Sequence, residues 1–320
     1  MDTIVFNKDK FFEGFKNHKY TINNAGINIL HDTVFLTKLL PYDSSCSIID
    51  IMSEKFLSKH RDFVEKAVSF FGDNFNHLPV NYRDDIDIAN LAIESSNFSN
   101  LRLGEKLSND YNFAREAVSK NGFVLKSFSY DIRSQTSFNI LAVKQSPLAY
   151  RSLLDKMKAN DEVINVAVEQ NGFIYHFVPE KNRENNEKLL IKALENSKDY
   201  APLIYKESPV NFRENTDISL LACTQNIECI KNVPFKTFYE EDFQNGLSKI
   251  IETGREVYVQ KSLQEDDFAC VRSYDNYLKG LLEETSKRCE IDQQRYLENK
   301  QMEEDFLRET YSEGENLIEE

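Results

Sequence analysis

An alanine recurs along the chain at Ala67, Ala92, Ala117, Ala142, Ala167, Ala193 and Ala222, with spacings of 25, 25, 25, 25, 26 and 29 residues. Its neighbours recur with it. Four positions earlier stand Phe63, Ile88, Phe113, Phe138, Val163, Leu189 and Ile218; one position later stand Val68, Ile93, Val118, Val143, Val168, Leu194 and Cys223. Residues at i, i+4 and i+5 share one face of a helix, so each unit predicts an amphipathic helix of about three turns. The small alanine lets a neighbouring helix approach closely. Asp85, Asp110, Asn160 and Asn215 stand seven positions before the alanine and suit N-caps. Gly72, Asn97, Gly122 and Gly172 stand five positions after it and suit left-handed C-caps. Leu78, Leu103, Phe128, Leu153, Val178 and Ile204 form another apolar column and predict a second, shorter helix. Pro79 and Pro179 limit that helix.

Neither helix can bury its apolar face alone, so the units must stack. The expected fold is all-α: an α-solenoid of about seven helix-turn-helix repeats over residues 58–234, with a period near 25 residues. Residues 1–57 form an N-terminal helical cap, in which Val34, Leu39 and Ile49 mark a degraded further unit. The repeat fades after Pro234. Residues 235–320 read as an acidic C-terminal module of long helices, free of Gly and Pro between Leu281 and Glu313. Tyr274, Tyr277, Leu278, Leu281 and Leu282 make an amphipathic stripe there. Two readings stay open for it: burial against the last repeat, or dimerisation through the C-terminal helices.

Composition sharpens this picture. Only 10 Gly and 7 Pro in 320 residues argue against a loop-rich or all-β protein. The net charge of -14 makes a duplex-DNA partner a poor expectation, so no nucleic acid is assigned. Residues 235–320 carry -11 of that charge and the first 234 residues only -3. No apolar stretch is long enough for a membrane span. The opening MDTIVFNKDKFFEGF has no apolar h-region, so no cleaved signal is expected. The five cysteines are odd in number and form no CxxC pair, which favours reduced thiols over a disulfide framework or zinc site. Cys223 falls in a core column and reads as inert; Cys229 reads as exposed, with no nearby His to activate it.

Motifs for chemistry are missing. His18, His31, His60, His77 and His176 form no two-ligand spacing, and no phosphate-binding loop, dinucleotide fingerprint or nucleophile elbow is present. No catalytic, cofactor-binding or metal residue is therefore assigned, and the chain is not expected to be an enzyme. One polar column remains. Arg83 and Arg133 stand nine positions before their alanines, with Arg183 and Arg213 in nearly the same register. The bland reading is a solvated turn before each helix. The functional reading is a basic stripe along one edge, with Tyr82, Tyr130 and Phe212 as anchors for a protein partner.

The segments AVSKNGFVLKSFS at 117–129 and AVEQNGFIYHFVP at 167–179 resemble a bacterial tandem-repeat family, the domain of unknown function 4116. That family's unit runs as AVxxNGxxLxxxS. The resemblance implies a helical repeat scaffold with no assigned chemistry. The acidic tail, in which Glu303, Glu304 and Asp305 precede Thr310, Ser312, Gly314, Leu317 and Ile318, resembles the glutamate-rich signal of Dot/Icm-type (type IVB) secreted effectors. It implies a protein of the bacterial cytoplasm that is translocated into the host cytosol. The expected function is then a non-enzymatic repeat protein that binds and regulates a host protein or another bacterial effector. The alternatives are an acidic inhibitor, of anti-defence or nucleic-acid-mimic type, acting through the C-terminal module, and an enzyme with an unrecognised helical active site.

Overall fold

The computed structural model describes residues 4–95, 100–265 and 269–316, with side chains of the two long C-terminal helices described up to 260 and from 271 to 304. The fold is an all-α helical repeat. It divides into two compact units, Met1–Gln170 and Asn171–Glu320. The division falls inside the repeat region, away from both composition boundaries. Among the described residues, no helix is long and apolar enough to cross a membrane.

In the first unit the repeat helices are Arg61–Phe70, Ile86–Ser95, Tyr111–Lys120, Thr136–Gln145 and Asp161–Gln170. In the second they are Glu187–Glu195, Thr216–Gln225 and the start of Glu241–Glu265. All seven alanines of the column have no exposed surface, and every residue four before or one after them is buried. The N-caps form as expected. Asp110 accepts from the amides of Asn112 and Phe113, both at 2.9 Å. Asp85, Asn160 and Asn215 cap their helices in the same manner. Asn186 adds a cap before Glu187–Glu195.

The helix ends differ from the sequence expectation. No described glycine has a positive φ, so Gly72, Gly122 and Gly172 are not left-handed caps; Asn97 lies outside the described residues. Instead a single extended residue, such as Asn121 (φ -148°) or Asn171 (φ -157°), breaks the helix. A 3₁₀ helix then starts at the glycine, as in Gly122–Ser127 and Gly172–Phe177. The Asn side chain caps it, accepting from Phe123 N in one case and Phe173 N in the other, each at 3.0 Å. The unit is therefore a long helix, a 3₁₀ helix and a short α-helical turn such as Tyr130–Arg133. Of the apolar column expected in a second helix, Leu78, Phe128, Leu153 and Val178 are instead buried, extended residues that end the 3₁₀ segments; Ile204 is buried inside the helix Ala201–Lys206, and Leu103 is half-buried outside any helix.

At the N-terminal end, the helix Thr33–Leu39 packs on Arg61–Phe70. Val34 is 72% exposed, so the expected apolar position is wrong by one: Phe35, Leu36 and Leu39 are the buried residues. In the second unit, Phe243 and Leu247 of Glu241–Glu265 are buried against the last repeat helix, so the repeat packing persists past Pro234. The helix Ala269–Asn316, 48 residues long, returns along it. Arg255 pairs with Asp275 at 2.9 Å and Tyr258 stacks on Tyr274. Leu278, Leu281, Thr285 and Cys289 are buried, and Tyr277 donates to Glu228 Oε1 at 2.7 Å. The stripe thus docks on its own repeat. Further along, Leu297 and Met302 are exposed.

Candidate functional site

The short helical turns form one edge of each unit. In the first unit Val80–Arg83, Glu105–Ser108 and Tyr130–Arg133 lie side by side. Gly104 N donates to Arg83 O at 2.9 Å, and Ser129 N donates to Ser108 O at 2.8 Å. These bonds continue the edge from one repeat to the next. Turns place residues here because each long helix must be re-entered through an extended capping residue, which leaves the preceding turn at the surface.

The sequence-derived site residues divide in this setting. Tyr130 is 62% exposed and stands first in its turn. Tyr82 is buried, and its hydroxyl donates to Leu57 O at 2.8 Å, so its surface is spent inside the fold. Phe212 is likewise buried. The arginines are half-buried and mostly turned inward. Arg83 Nη1 donates to Arg102 O, and Arg213 Nη1 to Asn232 O, both at 3.2 Å. Each bond reaches a carbonyl 19 residues on, so these two guanidiniums clamp neighbouring repeats together. Arg213 Nε also donates to Ser208 O. Arg183 lies over the Tyr175 ring and 3.8 Å from Glu207, whose carboxylate meets His176 Nδ1 at 2.8 Å. Arg133 is half-buried beside Tyr130. Arg83 and Arg213 thus bracket neighbouring repeats and Arg183 packs on its own one, while Arg133 is half-buried.

Sequence reasoning missed other members of the edge. Val80 stands first in its turn and is exposed, as are Ile86 and Tyr111, which open the long helices that follow the turns. The available signal was that each is apolar yet lies outside the periodic columns. Asn139 and Ser219 were missed as well. Both stand three residues before an alanine of the column and are fully buried. Asn139 Nδ2 donates to Arg133 O and Gln135 O, and Ser219 Oγ to Arg213 O and Asn215 O. They tie the turn to the helix that follows, which fixes where the arginine backbone sits.

Among the described residues, no three His, Cys, Asp or Glu side chains are placed to hold a metal ion. Burial pushes the Cys46 and Cys223 thiols up to about 12. Cys229, expected at the surface, is fully buried in the second unit, and burial raises its thiol too. Neutral buried thiols are poor nucleophiles. What the turns and helix starts of the first unit do offer is exposed apolar side chains, with neighbouring turns joined by backbone hydrogen bonds.

No curated protein and no solved structure matches the chain. Residues 137–183, which span the repeats of Ala142 and Ala167, match the family model described as Domain of unknown function (DUF4116), and this stretch of the chain is similar to that family.

Proposed function

We propose that this chain is a non-enzymatic helical-repeat protein that binds and regulates another protein, through the turn edge of its first unit. The observation that supports it is the exposure of Val80 and Tyr130 on turns joined by backbone hydrogen bonds, and of Ile86 and Tyr111 at the starts of the long helices that follow such turns. Aromatic side chains carry large contact area at low ordering cost and dominate interface energetics. Such a partner would lie along the edge and have its own active surface covered or reoriented.

The protein would act as a translocated bacterial effector, or as a regulator of one. The support is the acidic tail, of which Leu317 and Ile318 lie outside the described residues. A translocation reporter fused to the full chain, with and without residues 303–320, tests that part.

The binding reading is tested by affinity capture from bacterial and host-cell lysates, with the wild type and Tyr130→Ala in parallel. One stoichiometric partner, retained by the wild type and depleted from the variant, supports it. Equal capture by both removes the edge from the argument, and no partner in either lysate removes the binding reading itself. The acidic-inhibitor reading has one observation in its favour: beyond Tyr296 the last helix leaves Leu297 and Met302 exposed. A partner lost on truncation after residue 296, and released by moderate salt, favours that reading instead.

A further inference from the structure

A groove of about 610 Å³ opens in the first unit where the helix Thr33–Leu39 meets the start of Arg61–Phe70. Lys38, Lys59, Arg61 and Lys66 line it, with Asp62 as the one acidic lining residue. Glu65, Asp85 and Asp87 stand against Arg61 and offset its charge, so the positive charge that faces the groove comes from the three lysines. Lys38, Lys59 and Lys66 are exposed and form no ion pair among the described residues. Like charges around one concavity repel one another, and an anion bound between them lowers that repulsion further than salt screening does.

The side chains discriminate between anions. A carboxylate is best read by the flat fork of an arginine, which gives two parallel hydrogen bonds. Arg61 is the only arginine in the lining, and its fork is occupied: it meets Asp85 at 2.5 Å and Glu65 at 2.7 Å. The remaining donors are lysine ammoniums, which act as point charges and suit the tetrahedral, doubly charged oxygens of a phosphoryl group. His60 provides no side-chain cap, and of the first-turn amides of Arg61–Phe70 that of Phe63 is bonded to His60 O, which leaves those of Arg61 and Asp62 at the groove wall. The volume lies in the range of small-ligand pockets.

We propose that this groove is a phosphoryl-binding site, taking a small phosphorylated compound or a phosphorylated side chain. The site is independent of the apolar edge invoked for protein binding.

The test is isothermal titration calorimetry of the full chain with inorganic pyrophosphate, with citrate as a carboxylate control at matched ionic strength. A saturable single-site isotherm for pyrophosphate is expected, with citrate at least about tenfold weaker. The double variant Lys38→Gln/Lys66→Gln is expected to lose about tenfold or more in affinity. Both residues are exposed, so its circular dichroism and melting should match the wild type. A phosphoserine peptide forms the second arm. Binding of pyrophosphate alone assigns a free phosphate compound; tighter binding of the peptide assigns a phosphorylated protein segment. No saturation with either ligand, equal affinity for citrate, or unchanged affinity in the folded double variant would overturn the proposal.

Discussion

Gly122 packs directly against the backbone of Ala142 in the next repeat: a Cβ built on the glycine would overlap the Ala142 carbonyl oxygen and lie 3.0 Å from its carbon. Gly172 stands in the same relation to Ala193, with the carbonyl carbon 2.9 Å from such a Cβ. The glycine of one unit and the alanine of the next are thus two halves of one close backbone approach. Backbone atoms cannot swing aside as a flexible side chain can. Gly122→Ala is therefore expected to lower stability by about 1–3 kcal/mol through overpacking. Gly280 is the internal control, because a Cβ there meets nothing within 4 Å. It lies inside the helix Ala269–Asn316, so Gly280→Ala should stabilise by about 0.5–1 kcal/mol. Urea melts of the two variants that shift in the same direction would refute the packing argument.

Three equivalent tyrosines give a second contrast. Tyr150, Tyr175 and Tyr205 are all fully buried. Tyr150 donates to Lys158 O at 2.5 Å, and Tyr205 bonds Arg213 O and Ser219 Oγ. The Tyr175 hydroxyl has no hydrogen-bond partner among the described residues. The loop before the next helix is one residue longer there, which removes the matching carbonyl. Tyr205→Phe should cost about 1 kcal/mol, whereas Tyr175→Phe should be neutral or slightly stabilising. Thermal denaturation of the pair decides this; equal losses would show that Tyr175 has a partner in solution.

Asp85 carries two duties, capping Ile88 N and pairing with Arg61. The hydrogen bond from Arg61 holds its carboxyl below the ordinary value of 3.8. A carboxylate depressed in the folded state adds stability above its unfolded value and loses it as pH falls through the folded one. Asp85→Asn keeps a capping oxygen and removes the charge. The wild type should exceed it by up to about 1 kcal/mol at neutral pH, and the gap should close as pH falls below the ordinary carboxylate value and through the depressed folded one. A gap that stays constant from neutral to acid pH would assign the effect to the cap instead.

Cys46, Cys223, Cys229 and Cys289 are all buried, and burial raises each thiol. Native protein at pH 8 should leave these four unlabelled by a thiol reagent, and unfolding should release them. Mass-spectrometric mapping of the labelled sites reads this out. Rapid labelling of Cys229 in the native state would restore the surface position that its sequence context suggested.

The sequence determined the repeat and its core. Three columns around each alanine were legible because burial on one helix face imposes a fixed spacing, and local capping chemistry marked the helix starts at Asp85, Asp110, Asn160 and Asn215. What only the tertiary structure decided were the contacts between units. Glycine at 122 and 172 suits a left-handed cap and a tight backbone approach equally well, and only the neighbouring carbonyl shows which one operates. An arginine after a turn looks solvated until a carbonyl 19 residues away takes its guanidinium, as at Arg83 and Arg213. The lysines of the groove come from the helix Thr33–Leu39, the turn at Lys59 and the helix Arg61–Phe70, and no local pattern joins Lys38 to Lys66. Periodicity reports which face of a helix is buried; which polar groups meet across the stack depends on packing between elements, and that is set in three dimensions.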